Sequence, residues 1–391
     1  MEIFFWILVC IFFYAYLGYG ILLSLLMNTR KKPKKVLIQD DQLPRVVHII
    51  AAYNEEDIME KKIRNSLSLE YPVDKMQVMI ITDGSTDRTA DIVRRFPAVI
   101  HLHDPERKGK AAAINRAVSE SGNAEILVFS DANTLINADA LIILTKHYTD
   151  PKVGGVSGEK VVLTDPVEMI QSQGEGLYWK YESWLKKLDA DFYSVAGAAG
   201  ELLSIRKDLF ETMAENIILD DLYLSLNICK KGYVIPYEPG AMASELPSSS
   251  IADERKRRVR ISAGAFQAMA MMPELLNIFK YGKLSFLYIS HRVLRWAICP
   301  FALPLVLALN ILIVLQGGGM LYKVLMSAQF IFYALSATGA LLSRKKTGLG
   351  KLFFIPYYFI FMNISVWEGL IRYLNGTQSA IWEKASRKKP G

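Results

Sequence analysis

Carboxylates set at the ends of apolar runs are the residues here most able to do chemistry. Segment 78–89 reads Val-Met-Ile-Ile-Thr-Asp-Gly-Ser-Thr-Asp-Arg-Thr. Its apolar half suits a strand buried on both faces. It breaks at once into Asp83-Gly84-Ser85-Thr86-Asp87, which puts a carboxylate and a flexible backbone at a strand's carboxyl end. Asp87 or Thr86 can cap the helix that follows through Ile92 and Val93. The pattern recurs. The run 46–51 ends in Ala52-Tyr53-Asn54-Glu55-Glu56, and 126–129 ends at Ser130-Asp131-Ala132-Asn133. In an open α/β sheet such loops share one edge, where ligands bind, so Asn54, Asp83 and Asp131 are expected to converge. Neither Gly-x-Gly-x-x-Gly nor a Walker A pattern is present, so the phosphates of a nucleotide need another counter-charge. A divalent cation held by Asp131 is the economical one.

Two further stretches carry chemistry. Segment 217–222, Ile-Ile-Leu-Asp-Asp-Leu, starts a helix with Leu222, Leu226 and Ile228 towards the core. One aspartate there would serve as cap and dipole partner. A second beside it hints at a base with a perturbed pKa, so Asp220 and Asp221 are both candidates. Segment 195–200, Val-Ala-Gly-Ala-Ala-Gly, suits either a ligand close to backbone or tight packing of a strand under a helix. The three cysteines, Cys10, Cys229 and Cys299, form neither a disulfide framework nor a metal spacing.

The elements that must position these residues alternate. Strands are expected at 46–51, 76–82, 99–102 and 126–129. A helix runs to about Leu69, and another follows Lys108-Gly109-Lys110 with Ala113, Ile114, Ala117 and Val118 on one face. That order implies a parallel, doubly wound sheet. Segment 171–191, with Tyr178, Trp179, Tyr181, Trp184, Lys186 and Lys187, reads as a helix, either interfacial or partly exposed on a soluble domain.

The chain has 391 residues, 51% of them hydrophobic and 22% charged, with a net charge of +7. Its mean hydropathy of +0.19 hides a polar middle between apolar ends. Segment 3–27 has no charge and is long enough to span a bilayer. It lacks the basic start of a signal peptide and is followed by Arg30, Lys31, Lys32, Lys34 and Lys35. We read an anchor with its N-terminus outside and the basic cluster in the cytoplasm. Segments 296–315 and 321–342 form a hairpin about Gln316-Gly317-Gly318-Gly319, ending at Arg344, Lys345 and Lys346. Segment 352–374 holds Asn363, Glu368 and Arg372, costly in lipid, and is expected to dip or lie flat with the C-terminus cytoplasmic. The basic run 254–260 precedes the apolar, Met-rich 261–272, expected to lie along the membrane. The expected divisions are an anchor at 1–28, a basic linker at 29–45, a cytoplasmic catalytic domain at 46–260, interfacial amphipathic helices at 261–295, a membrane region at 296–374 and a basic tail at 375–391. Basic clusters beside apolar runs suit anionic lipid headgroups, and no nucleic-acid reading module accompanies them.

Taken in order, Ala51-Ala52-Tyr53-Asn54-Glu55-Glu56, Thr82-Asp83-Gly84-Ser85-Thr86-Asp87, Lys108-Gly109-Lys110 with Asn115, Ser130-Asp131-Ala132-Asn133 and Leu219-Asp220-Asp221 resemble a membrane-bound family 2 glycosyltransferase. The resemblance is to the cellulose, chitin, hyaluronan and poly-N-acetylglucosamine synthase branch and runs from about 46 to 264. It implies a GT-A-like doubly wound nucleotide-sugar-binding domain inserted between transmembrane helices of the cell (plasma or inner) membrane. By that resemblance Asn54 and Glu55 hold uracil and ribose, Asp83 contacts the nucleoside, and Lys110 approaches the donor. Asp131 opens an Asp-x-Asp motif for Mn or Mg, with Asn133 in its second place. Asp221, after Asp220, ends the Thr-Glu-Asp motif as general base. Arg255, Arg257 and Arg260 fall in the Gln-Arg-x-Arg-Trp region near acceptor and diphosphate. Glu254 and Arg258 stand where Gln and Trp are expected, and that tryptophan normally helps form the acceptor site. The implied reaction is inverting transfer from a nucleotide-sugar, UDP-linked by the resemblance, to a hydroxyl of a glycan or lipid-linked acceptor. Synthesis of a β-linked polysaccharide is the leading form, single transfer to a lipid or glycan the alternative, and a catalytically silent membrane scaffold the alternative of another class.

Overall fold

The computed structural model describes residues 1–28, 42–163, 170–248, 250–343 and 351–381. The basic clusters at 30–35, 344–346 and 384–389 lie outside them.

Eight strands form one sheet: β1 (Val46–Ala52), β2 (Met76–Asp83), β3 (Val99–Asp104), β4 (Ile126–Ser130), β5 (Leu135–Ile136), β6 (Gly155–Val162), β7 (Leu202–Arg206) and β8 (Tyr237–Glu245). Their order is β3-β2-β1-β4-β7-β6-β8-β5. The first four strands pair parallel, as the alternation of strand and helix requires. Val78 to Asp83 are buried throughout, which explains a continuous apolar run in place of an alternating one. Beyond β4, where no strand was expected from the sequence, the pairing changes. β7 runs antiparallel to both β4 and β6, β6 and β8 are parallel, and the short β5 is antiparallel to β8. The second half is therefore mixed. Strand direction there is set by where α7 (Ile170–Phe192) returns the chain between β6 and β7, not by local pattern.

Five short helices carry the loops and flanks of the domain: α3 (Glu56–Leu67), α4 (Thr89–Arg94), α5 (Lys110–Ser119), α6 (Ala140–Thr145) and α8 (Asp220–Lys230), with α1 (Glu2–Phe13) and α2 (Tyr19–Met27) preceding them. After the sheet come α9 (Ile251–Met271), α10 (Ile278–Tyr281), α11 (Lys283–Leu287), α12 (Cys299–Leu315), α13 (Met320–Ser343) and α14 (Lys351–Leu374). The aspartates do open α8, with Leu222, Leu226 and Ile228 buried behind them. π-helical turns at Tyr14–Gly18 and Tyr288–Ile298 join α1 to α2 and α11 to α12. Among the described residues, four helices are long and apolar enough to cross a membrane: Glu2–Met27, Lys283–Leu315, Met320–Leu342 and Leu352–Leu374.

In the second half, α9 runs unbroken through residue 260, with Arg258, Val259, Ser262, Ala263, Gly264, Ala265 and Ala268 buried. The helix docks along α14. α14 in turn is one continuous helix in which two of the polar groups costly in lipid are paired. Glu368 pairs with Arg255 of α9, and the Asn363 amide donates to the Phe359 carbonyl. α7 is likewise enclosed, with Leu185, Lys186, Leu188 and Asp189 buried. Contact between α9 and α14 depends on Gly369. A Cβ there would lie 2.5 Å from the Ser262 Cβ and 2.8 Å from the backbone of Val259 and Ala263. Gly369→Ala should therefore cost about 1–3 kcal/mol by overpacking. A clearly lower unfolding midpoint in detergent is the expected reading, and an unchanged midpoint would mean the helices part without cost.

Candidate active site

The polar edge of the parallel strands is built by its own side chains. Asp83, at the end of β2, accepts the Lys108 N–H at 3.0 Å and the Gly109 N–H at 2.8 Å. Its carboxylate is spent on pinning that loop, which enters α5 through Gly109 at φ +95, a conformation suited to glycine. Lys110 is thereby fixed at the first turn of α5. Asn54, at φ +53 after β1, accepts the Thr86 N–H at 2.8 Å and donates to the Thr86 hydroxyl at 3.2 Å, knitting the first two loops together.

Lys110 is the meeting point. Its ammonium lies 2.9 Å from Asp131 Oδ1 at the end of β4 and 3.2 Å from Asp220 Oδ2 at the start of α8. Burial would depress this amine, but Asp131, Asp220 and Asp221 outweigh burial and hold it above the usual lysine range. Asp221 is pushed up to about 6 by burial and by Asp220 beside it, against the pull of Lys110. Arg260, from α9, faces the same three carboxylates. It donates to the Ile218 carbonyl at 2.9 Å, while its buried Nε has no hydrogen-bond partner.

These groups line a cavity of about 1410 Å³. Of the residues singled out from sequence, Glu55, Lys110, Asp131, Asn133, Asp220, Asp221, Arg257 and Arg260 line it, and Asn54, Asp83 and Arg255 do not. Arg255 points away, exposed, to Glu368. Tyr53 lines the cavity beneath the Arg107 guanidinium, 3.4 Å from its ring centre. Thr377, Gln378, Ser379 and Ile381, just beyond α14, line it too, with Ile381 against Gly109. Gly197, Glu201 and Trp179 line it as well, with Phe354, Tyr358 and Phe359 of α14. Gly200 packs close to the Asp221 carboxylate.

Sequence reading missed three supports. Lys62, wholly buried on α3, donates to the Ser130 hydroxyl at 2.7 Å and the Thr134 carbonyl at 2.8 Å, bracing the turn that presents Asp131. Burial pushes its amine down to about 7, against Asp131. Glu182 of α7 pairs with Arg292 and Arg295, and Arg292 donates to the Ala196 and Gly197 carbonyls at 3.1 and 3.3 Å. Lys160 pairs with both Glu201 and Glu245. A lysine inside the apolar face of α3 was the only local signal for the first. The others join residues far apart in the chain.

Among the described residues there is no group of three or more His, Cys, Asp or Glu side chains placed to hold a metal ion. The half-buried Asp131 carboxylate and the Asn133 amide both open on the cavity. Such a set suits a hard cation that draws its remaining oxygens from a bound diphosphate and water.

Residues 48–213 match the family model for glycosyl transferase family 2. The chain is 27% identical over 248 residues to poly-beta-1,6-N-acetyl-D-glucosamine synthase of Staphylococcus aureus (strain MSSA476), covering 60% of this chain and 58% of that protein. It is 27% identical over 225 residues to the probable glycosyltransferase YdaM of Bacillus subtilis (strain 168), covering 52% and 51%. The chain thus spans between half and three-fifths of the length of these relatives. Among solved structures, the mannosyltransferase PcManGT from Pyrobaculum calidifontis, in complex with GDP-Man and Mn2+, superposes with a TM-score of 0.69 at 24% identity. The match covers 95% of this chain and 98% of that one. Residues 48–213 therefore match a family 2 glycosyltransferase domain, and the fold is GT-A-like, flanked on both sides by apolar helices.

Proposed function

We propose that this domain catalyses inverting transfer of a sugar from a nucleotide-sugar, a UDP-sugar first among them, to a hydroxyl of a growing β-linked polysaccharide. The observation that carries the reading is the meeting of Lys110, Asp131, Asp220, Asp221 and Arg260 on one cavity. The name of the staphylococcal relative supports the polymer, and the ligands of the archaeal mannosyltransferase support a nucleotide-sugar with a divalent cation.

In this reading Tyr53 and Glu55 face the nucleoside, while Asn54 and Asp83 act at one remove by fixing the loops around it. Lys110 and Arg260 offer charge to the diphosphate as the glycosidic bond breaks. Asp131 and Asn133 would hold Mn2+ or Mg2+, whose chemistry is to neutralise that leaving group. Asp221 takes the proton of the attacking hydroxyl, its raised pKa placing it near the working pH. Attack from the face opposite the leaving group inverts the anomeric centre. Shifting the arginine motif by three residues, to Arg257-Arg258-Val259-Arg260-Ile261, puts its members on the cavity and replaces the motif's tryptophan by Ile261. That replacement favours, as a second reading, transfer of a single sugar to a glycan or lipid-linked acceptor. The domain would stand on the cytoplasmic face of the cell membrane, held by the flanking helices.

The test is nucleotide release by the purified, detergent-solubilised protein from a panel of UDP- and GDP-sugars, with Mn2+ or Mg2+ and with chelator. Release from one donor, abolished by chelator, is the expected result. Absence of release together with absence of UDP and GDP binding would remove the reading.

A further inference from the structure

The cavity holds two donors that make no hydrogen bond among the described residues. Trp179 of α7 has a buried indole N–H without a hydrogen-bond partner. Lys186, two turns further along α7, is only 5% exposed. Its ammonium lies 5.7 Å from the Trp179 ring centre and makes neither a hydrogen bond nor an ion pair among the described residues. Both line the cavity. Glu182, Glu201 and Glu159 act on this ammonium only at a distance, and its enclosure without a hydrogen bond is unfavourable until a ligand completes it. The site is also continuous with Asp221. Glu201 is close enough to perturb that carboxyl, Lys160 pairs with Glu201, and the Lys160 ammonium lies 4.5 Å from the centre of the Trp179 ring.

We propose that Trp179 and Lys186 form the acceptor subsite of this transferase, and that its ligand is the sugar ring of a glycan. The inference rests on the reading of Asp221 as the base. Donors alone would suit a phosphate as well, but carboxylates stand among them. Glu201 and Glu159 both line the cavity and both act on the Lys186 ammonium. A sugar hydroxyl both donates and accepts, so it can use the N–H groups and the carboxylates together. A phosphate accepts only and would meet Glu159 and Glu201 as like charges. Trp179 thus supplies, from a different helix, the aromatic group that Ile261 does not. Its indole edge recognises the ring and α7 sets the ring's distance from Asp221.

The experiment uses the full-length protein in detergent. Trp179→Phe keeps an aromatic ring and loses the N–H, and Lys186→Met keeps the stem and loses the charge. Short β-linked oligosaccharides of N-acetylglucosamine, glucose and mannose are the probes, and their binding is measured directly without nucleotide. Binding of UDP or GDP with Mn2+ is measured beside it. Each variant should weaken binding of the oligosaccharide that the wild type prefers by about tenfold, the value of one buried hydrogen bond, and leave nucleotide binding unchanged. Removing an unpaired buried charge should not unfold the protein, so Lys186→Met stays testable if the tryptophan variant is unstable. Unchanged oligosaccharide binding in Lys186→Met, or wild-type binding of none of the panel, overturns the subsite. An equal loss of nucleotide binding also overturns it, by showing general damage. Oligosaccharide binding without nucleotide release from any donor would instead overturn the transferase reading and leave the subsite standing.

Discussion

Asp221→Asn should lower turnover by about 100- to 10,000-fold, the usual worth of a general base, while nucleotide binding stays near the wild-type value. The amide keeps the size of the side chain and its place at the start of α8, where Oδ1 accepts the Leu222 N–H at 2.8 Å. It cannot accept a proton. Asp220 cannot substitute, because its carboxylate is committed to Lys110. A pH profile sharpens the test. The base must be ionised, and burial with Asp220 sets its pKa at about 6, so kcat/KM should fall as the pH drops through about 6 and level off above it. The residual activity of the Asn variant should lack that limb. Turnover close to wild type would move the base elsewhere.

Lys160→Met carries the largest expected effect on stability, about 3–5 kcal/mol lost. The lysine is buried between Glu201 and Glu245, its side chain 1% exposed. Burial pushes the Glu201 carboxyl up, and Lys160 more than offsets this, holding it below the usual carboxylate range. Without Lys160 two buried carboxylates face each other's surroundings with less compensation. A marked fall in the unfolding midpoint is expected, with partial recovery when Glu201→Gln is added, since the second change removes one of the stranded charges. A midpoint that does not move in the single variant would show that water reaches both carboxylates.

What sequence could and could not reveal follows from the range of the forces. The ends of β1, β2 and β4 and the start of α8 are set by local breaks in apolar runs, and these stand where they were expected. Asp131 stands on the strand edge that the strand–helix alternation implied, whereas Asp220 and Asp221 reach it through α8, which follows the antiparallel β7. Arg255 and Arg260 looked equivalent because a basic run does not display its helix phase. Five residues apart on a helix, they point about 140° from each other, and only the docking of α14 decides which faces the cavity. Asp83 carries the right charge at the right strand end, yet it is consumed by two backbone N–H groups whose loop lies some 25 residues on. The direction of β7 and the shelter given to Glu368 depend on partners far along the chain.

Tyr16, in the π-helical turn between α1 and α2, and Ile381, beyond α14, line the same cavity. A polypeptide is made from its N-terminus, so the wall that holds Tyr16 is made long before the one that holds Ile381. No shortened product of synthesis that stops before α14 can enclose it. Closure of the cavity therefore reports that synthesis has passed α14 and that the flanking helices have docked on the domain.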